Sequence, residues 1–258
     1  MESRTLQLVL QYDGARFAGW QRQPDERTVQ GVLEEAMERL CGAHVSVLGA
    51  GRTDAGVHAL GQSAGVRVSE RWTALELMRA LNALLPQDVR VSACHAMRKD
   101  FHARFSALSR SYKYLVGTDS EAANPFRAPR ELAWKRPVDR SLLDATAALI
   151  VGDHSFRGFA VKGTAPETDD HRCIVQSAAW SDREGGLAFA IRANRFLHHM
   201  VRFLVGTMLD IAASRRDVEV IARLLASGEN REVSPPAPAH GLYLESVEYP
   251  HDLYLVAA

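Results

Sequence analysis

A single carboxylate stands in a glycine-rich stretch of the sequence, GAGRTDAGVH, which covers residues 49–58. The glycines around Asp54 allow unusual backbone conformations and let another molecule come close to the main chain. Arg52 precedes the aspartate by two residues, and no second carboxylate lies in the stretch. A lone aspartate is suited to act as a nucleophile or as a base, whereas glycoside hydrolysis normally requires two carboxylates.

Other interpretations of the same stretch compete with this one. In an ordinary glycine-rich hairpin, Asp54 would only cap its own backbone. A phosphate-binding loop is disfavoured, because the GxxxxGK[ST] and GxGxxG spacings are both missing. Asp54 and His58 could be metal ligands, but no further Cys, His or Glu follows nearby at ligand spacing. A metal-dependent hydrolase that uses His58, His198 and His199 remains an alternative.

A basic and aromatic stretch, RKDFHARFSALSRSYKY, covers residues 98–114 and contains one acidic residue. Aromatic rings interleaved with cations are typical of surfaces that stack bases and hold phosphates. Tyr112 and Tyr114 alternate on a predicted strand and therefore share one face of it. The alternative is that these tyrosines pack into a core beneath the sheet.

A helix predicted over residues 195–213 has one apolar and one basic side. The basic side consists of residues at helical spacing: Arg195, His198, His199, Arg202 and Gly206. No carboxylate follows before Asp210, so this side could face either solvent or RNA. Arg202 lies within a dense apolar run, and its burial would require a carboxylate partner.

The elements that must position these residues follow a simple order in the first half of the chain. Strands are predicted over 6–12, 44–48, 62–68 and 89–96, and helices over 28–41 and 73–84. The order β-α-β-β-α-β is that of the ferredoxin-like arrangement. The glycine-rich stretch then connects two neighbouring strands.

The second half repeats this order loosely. Strands are predicted over 111–117, 172–181, 186–193 and 242–249, and helices over 139–151, 195–213 and 217–227. Two such halves side by side would leave a cleft, and clefts are common sites for ligands.

Composition sets broad limits on function. The 258 residues carry no formal net charge, but affinity for phosphate depends on local patches rather than on totals. Three widely spaced cysteines fit neither a disulfide framework nor a zinc ribbon, and indicate reduced thiols in a cytoplasmic protein. No apolar run predicts a membrane span, and the N-terminus does not resemble a signal peptide.

Seven blocks of the sequence resemble those of the TruA-type tRNA pseudouridine synthases, and they follow in the same order. The most specific is GAGRTDAGVHALGQ at 49–62, which is similar to the active-site motif of that family. The others are YDGARFAGWQRQ (12–23), NALLP (82–86), FHARFSA (101–107), RSYKY (110–114), FLHHMVRFLVG (196–206) and GLYL (241–244). The resemblance therefore extends along nearly the whole chain.

The resemblance implies an α+β fold. Two ferredoxin-like-patterned α/β halves would share a mixed, mainly antiparallel central sheet, with the active site in a cleft between them. The first half, residues 1–108, would carry the catalytic loop. The second half, residues 109–258, would carry the base-stacking tyrosine and the basic helix.

The same resemblance implies roles for individual residues. Asp54 matches the catalytic aspartate, and Tyr112 matches the tyrosine that stacks on the target base. Arg202 matches the basic residue that pairs with the aspartate. Arg52 matches the arginine that helps to hold the flipped nucleotide out, and Leu244 matches a packing leucine under the site.

The implied activity is the isomerisation of uridine to pseudouridine at positions 38, 39 and 40 of the tRNA anticodon stem-loop. The enzyme would be a cytoplasmic homodimer without a cofactor, and tRNA would touch both subunits. A base within a stem must be flipped out before it can be rearranged, and the small residues around Asp54 would leave room for it. The alternative is a non-catalytic RNA-binding protein of the same fold.

Overall fold

The structure is a computed structural model that describes residues 3–164, 168–227 and 229–255. The chain divides into two compact units, one formed by Met1–Ser109 with Tyr243–Ala258 and the other by Arg110–Leu242. Both units combine helices with a mixed, mainly antiparallel set of strands. The predicted α+β class is confirmed at this level.

Unit 1 is built around its first strand, Ser3–Tyr12, which has a partner strand on each side. Its elements are β1 (Ser3–Tyr12), α1 (Val29–Cys41), β2 (Leu48–Gly49), β3 (His58–Ser69), α2 (Ala74–Leu84), β4 (Val89–Met97) and, except for its first residue, β10 (Leu242–Glu248). Strand β1 pairs antiparallel with β3 and with β4. Strand β2 pairs antiparallel with β3, and β10 pairs with β3 in parallel. Alternate residues Leu6, Leu8 and Leu10 of β1 are fully buried in the core.

The helices of unit 1 begin and end where local signals in the sequence predict. The Thr28 hydroxyl accepts the N–H of Gly31 at the start of α1, and Gly42 ends this helix with φ at +72°. Thr73 and Glu76 form a capping box at the start of α2. Each such cap stabilises a helix by about 1 kcal/mol, so the chain itself determines these boundaries.

In its described residues, unit 2 combines an antiparallel arrangement of four strands with three helices. Its elements are β5 (Ser109–Gly117, from its second residue), β6 (Leu132–Ala133), α3 (Arg140–Leu149), β7 (Gly152–Ser155), β8 (Arg172–Arg183), β9 (Gly186–Ala193), α4 (Met200–Ala212) and α5 (Glu219–Ser227). Strand β9 pairs with β5 and β8, and β8 pairs with β7. Gly185 has φ at +73° and forms the predicted turn between β8 and β9. Strands β6 and β7 were not predicted.

The predicted strand over 44–48 is wrong for most of its length, because only Leu48 and Gly49 pair with β3. The backbone of Val47 is instead bound by side chains of α1. Glu34 Oε1 accepts the N–H of Val47, and Gln30 Nε2 donates to its carbonyl oxygen. These bonds satisfy the polar groups that a strand partner would otherwise take.

The predicted helix over 195–213 is wrong at its start. Helix α4 begins at Met200, because His199 has φ at +62° and lies outside the helical region. Asn194, directly after β9, donates its N–H to the Ile174 carbonyl and accepts the Ile174 N–H through Oδ1. Arg195 and His198 therefore do not form one helical stripe with Arg202.

The predicted division of the chain into residues 1–108 and 109–258 stays a prediction. The structure differs from it at the end of the chain, where residues 243–258 belong to unit 1. The reason is the parallel pairing of β10 with β3, which sets Leu244 opposite Ala59.

The state of the cysteines and the lengths of the helices are two further features of the fold. Cys41, Cys94 and Cys173 are free thiols. Burial raises the pKa of Cys94 and of Cys173 to about 12, so both stay protonated at neutral pH. Every helix in the described part of the chain is too short or too polar to traverse a lipid bilayer.

Candidate active site

The loop that connects β2 with β3, residues 50–57, carries Asp54, is bound to β3 at its start and is closed by a turn at its end. The N–H of Ala50 donates to the Ser63 carbonyl at 2.8 Å. A turn closes the other end, where the N–H of Val57 donates to the Asp54 carbonyl at 3.2 Å. Gly56 lies within this turn with φ at +80°, a conformation that glycine adopts without strain.

The segment after β1, residues 14–20, lies directly against this loop. The N–H of Trp20 donates to the Thr53 carbonyl at 3.0 Å. Gly19 has φ at +101°, and a Cβ placed on it would lie 2.8 Å from the Thr53 carbonyl oxygen. A Cβ on Gly14 would overlap the Val57 carbonyl. Two glycines of the 12–23 block therefore allow the backbone to approach the loop that bears Asp54.

The glycines of the quoted stretch do not all have the role expected of them. A Cβ on Gly49 would overlap the indole of Trp20, so the space at Gly49 is filled by the protein itself. A Cβ on Gly51 would meet nothing within 4 Å. At Gly51, in contrast to Gly49, the loop leaves open space for another molecule.

The side chains of the loop differ in exposure in a way that suits chemistry. Arg52 is exposed, Thr53 is buried and Asp54 is half-buried. The carboxylate of Asp54 is therefore carried by a residue whose neighbour is anchored in the core. Leu244 of β10, the leucine predicted to pack under the site, is buried beside Ala59 of β3.

A buried polar network that was not predicted lies beneath the loop. The Tyr12 hydroxyl is 2.8 Å from Thr53 Oγ1, and either oxygen can be the donor. The Gln62 side chain supports the loop at a second point, because its Nε2 donates to the Gly51 carbonyl at 3.0 Å. Burial raises the pKa of Tyr12 to about 12, against the lowering effect of its hydrogen bond with Thr53.

The two tyrosines of β5 in unit 2 are both buried, and Tyr114 is the deeper one. The ring of Tyr112 meets the ring of Phe196 edge-on, with centroids 4.9 Å apart. The Tyr114 hydroxyl donates to the Pro238 carbonyl at 2.8 Å, and burial raises its pKa. Core packing therefore accounts for Tyr114, whereas Tyr112 lies nearer the surface.

Arg202 lies on α4, where it and Gly206 are the two residues that are not buried. Its Nε donates to the Ala237 carbonyl at 2.7 Å, and its own carbonyl accepts the Ala237 N–H at 2.9 Å. A Cβ on Gly206 would overlap the Pro235 carbonyl. This side of α4 is thus covered by residues 235–237 rather than by solvent. Burial, together with the charge of Arg202, lowers the pKa of His240.

Acidic residues balance part of the charge in the basic stretches. Arg195 forms an ion pair with Asp169 at 2.6 Å, and its hydrogen bond holds the pKa of that carboxyl below its usual range. Arg98 pairs with Asp100 and with Asp252. Phe105, an aromatic residue of the same stretch as Arg98, is 78% exposed. Free charge in these stretches is therefore smaller than the sequence alone suggests.

His58, a candidate ligand of the metal alternative, is buried and engaged by unit 1. Its Nδ1 accepts the N–H of Gly14 at 3.1 Å. Its ring stacks on that of Tyr243, with centroids 4.8 Å apart. A ring nitrogen that accepts a backbone N–H cannot also donate its lone pair to a metal ion.

Comparison with known proteins gives a consistent result. The family described as tRNA pseudouridine synthase matches residues 8–106 and 146–250. The chain is 41% identical to the tRNA pseudouridine synthase A of Chloroflexus aurantiacus, over 97% of this chain and 90% of that protein. It is 37% identical to the protein of the same name from Latilactobacillus sakei, over 94% of this chain and 97% of that protein. For the protein of Roseiflexus sp. strain RS-1 the identity is 40%, over 96% and 92%.

These similarities cover both units. The ranges matched by the family include the loop that carries Asp54 and the helix that carries Arg202. The strand that carries Tyr112 lies between those ranges and is covered by the alignments with the individual relatives. By these matches, the chain belongs to the tRNA pseudouridine synthase family.

Proposed function

We propose that this chain isomerises uridine to pseudouridine in tRNA, at positions 38, 39 and 40 of the anticodon stem-loop, with Asp54 as the catalytic residue. One observation carries the proposal. A half-buried carboxylate lies on a loop anchored to the core, within a chain similar over its length to proteins named tRNA pseudouridine synthase A.

The reaction needs one ionised carboxylate and no net gain or loss of atoms. The bond from the sugar C1′ to uracil N1 breaks, and a bond from C1′ to uracil C5 forms. The proton on C5 is lost, and N1 ends protonated. Asp54 can assist as a nucleophile at the sugar, as a nucleophile at the base, or as the base that removes a sugar proton.

The target base must leave the stem before this rearrangement, which calls for groups that hold it out. Arg52, exposed on the same loop as Asp54, is the residue proposed to hold the flipped nucleotide. Open space at Gly51 supports an approach on this side of the loop. Leu244, buried on β10 beside the strand that follows the loop, is the leucine proposed to pack under the site.

Tyr112 and Arg202 of unit 2 complete the proposal. Tyr112 would stack on the target base, and it is the less deeply buried of the two tyrosines of β5. The pairing of Arg202 with Asp54 stays a prediction from the family resemblance. An arginine in that role would favour the ionised form of the carboxylate.

Three further parts of the proposal concern the whole protein. Its two units would be ferredoxin-like halves, and the order β-α-β-β-α-β in unit 1 supports this for that unit. The protein would act as a homodimer in the cytoplasm, where its tRNA substrate is found. It would need no cofactor, because isomerisation requires neither an oxidant nor a group donor.

The experiment that tests the proposal is incubation of the purified protein with an unmodified tRNA transcript, followed by chemical mapping of pseudouridine. We expect product at uridines 38, 39 and 40. Tight binding without product at any uridine would favour the non-catalytic RNA-binding alternative. The same reaction with EDTA tests the metal-dependent alternative, because a chelator should leave a synthase active.

A further inference from the structure

We propose that Tyr12, Thr53 and Gln62 form a positioning network that sets the location of Asp54 and so determines the rate of the chemical step. The inference rests on the proposed function of Asp54. It adds three residues that do not touch the substrate and act through the loop backbone. All three lie in unit 1 and are buried.

The network holds the loop on both sides of Arg52 and directly before Asp54. Gln62 Nε2 binds the carbonyl oxygen of Gly51. The hydroxyl of Tyr12 binds the side chain of Thr53, and the N–H of Trp20 binds the carbonyl of the same threonine. Thr53 is thus fixed through its side chain and its backbone. Its neighbour Asp54 has little freedom to move independently of it.

The strand geometry brings the phenol to this place. Between Leu10 and Tyr12 the register of β1 with β3 shifts by one residue, so that Tyr12 pairs with Ala59. Such bulges re-aim side chains and are frequent beside active sites. The Tyr12 ring is held by aromatic contacts with Phe17 and Trp20, at centroid distances of 6.5 and 6.4 Å.

The chemistry of the network suits a fixed support. With a pKa raised to about 12, the Tyr12 phenol stays neutral at neutral pH. Removing the Tyr12 hydroxyl or the Thr53 hydroxyl leaves the other buried hydroxyl without this hydrogen bond. The loop should then settle elsewhere, and a displacement of about 1 Å at a catalytic group can cost up to about 100-fold in rate.

The test uses single-turnover rates and KM for tRNA transcript, with wild type and variants assayed well below their melting temperatures. Tyr12→Phe keeps the ring and removes the hydroxyl. We expect its rate to fall by about tenfold or more and its KM to stay within about twofold. Thr53→Val should behave alike, whereas Thr53→Ser, which keeps a hydroxyl, should restore most of the rate.

Tyr249→Phe is the matched control. Tyr249 lies in the same unit and, like Tyr12, is 5% exposed. Its hydroxyl donates to the Ala103 carbonyl at 2.6 Å and lies 2.9 Å from Ser63 Oγ, and both partners are outside residues 50–57. We expect the melting temperature of this variant to fall by about as much as that of Tyr12→Phe, whereas its single-turnover rate should equal that of wild type.

The outcomes separate the two proposals. A wild-type rate in folded Tyr12→Phe would overturn the positioning role and leave the proposed function intact. If Tyr12→Phe does not fold, equal rates for Thr53→Val and Thr53→Ser would overturn it instead. Absence of pseudouridine with the wild-type protein would remove the proposed function and this inference with it. A double variant, Tyr12→Phe with Thr53→Val, should be no slower than the slower single variant, because each change alone already breaks the same Tyr12–Thr53 hydrogen bond.

Discussion

Replacement of Gly19 by alanine tests the close approach of the chain to the Asp54 loop. Gly19 has φ at +101°, and its added Cβ would lie 2.8 Å from the Thr53 carbonyl oxygen and 3.3 Å from the Ala55 nitrogen. These neighbours are backbone atoms and cannot rotate away. The left-handed conformation costs about 1–2 kcal/mol for a residue with a Cβ. A displaced Thr53 carbonyl that loses the Trp20 N–H costs about 1–3 kcal/mol more.

Gly42→Ala is the control for this change. Gly42 also has a positive φ, of +72°, but its Cβ would meet nothing within 4 Å. Its cost should be the conformational part alone, about 1 kcal/mol. We therefore expect Gly19→Ala to destabilise the protein by about 3 kcal/mol in total. At about 2–4 °C per kcal/mol for a chain of this size, the melting temperature should fall by about 10 °C for Gly19→Ala and about 3 °C for Gly42→Ala.

The assay is thermal unfolding of both variants, followed by pseudouridine formation at a temperature where both are folded. Because the displaced atoms belong to Thr53 and its neighbours, Gly19→Ala should also lose activity. Gly42→Ala, at the end of α1, should keep it. Equal melting temperatures for the two variants, or full activity of folded Gly19→Ala, would refute this account of how the loop is held.

Three further predictions concern unit 2 and the RNA surface. Tyr112→Leu should lower turnover severely in single-turnover assays if the ring stacks on the base, and a fully active Tyr112→Phe would limit the residue to stacking. Affinity for tRNA should fall steeply as salt rises, and Arg195→Ala should weaken binding in a filter assay without stopping chemistry on bound RNA; a flat salt response would exclude the basic stretches as the RNA surface. The pKa of Asp169 is lowered in the folded state, so its pair with Arg195 stabilises the protein above about pH 4 and loses this effect as the pH falls; urea unfolding of Asp169→Asn should therefore show a loss at pH 7 that disappears in acid, and a loss that is the same at both pH values would contradict it.

Local signals were sufficient wherever the chain itself decides the structure. Thr28 and Gly42 predict both ends of α1, because a hydroxyl cap and a left-handed glycine act within one turn of the helix. The turn at Gly185 follows from the same kind of signal. Residues 44–48 were predicted wrongly because Gln30 and Glu34, more than ten residues away in the sequence, take the hydrogen bonds of Val47.

The candidate site was predictable in part for the same reason. The glycines around Asp54 and the family resemblance both single out the loop, and the structure describes it as a connection between β2 and β3. The contact of Tyr12 with Thr53 joins residues 41 positions apart, and no periodicity or spacing predicts such a pair. The blocks at 12–23 and 49–62 did indicate that both segments matter. The sequence did not predict the register shift between Leu10 and Tyr12 that brings the two segments together.

The pairing of Arg195 with Asp169 is a second case of this kind. The sequence around Arg195 contains no acid before Asp210, which favoured an unbroken basic surface. Asp169 reaches the arginine from a segment 26 residues away. Charge along the sequence therefore overestimated the positive charge of the surface around Arg195.

The central claim is that the carboxylate of Asp54 carries out the isomerisation, and Asp54→Asn tests it most directly. The amide has the size of the carboxylate but neither its charge nor its basicity. The measurement is pseudouridine mapping on a tRNA transcript after incubation with purified, folded variant, beside wild type and a tRNA-binding assay. We predict no pseudouridine at positions 38, 39 or 40, with tRNA bound as tightly as by wild type or more tightly, because one negative charge facing phosphates is gone. Pseudouridine formed by Asp54→Asn at a rate near that of wild type would contradict the account.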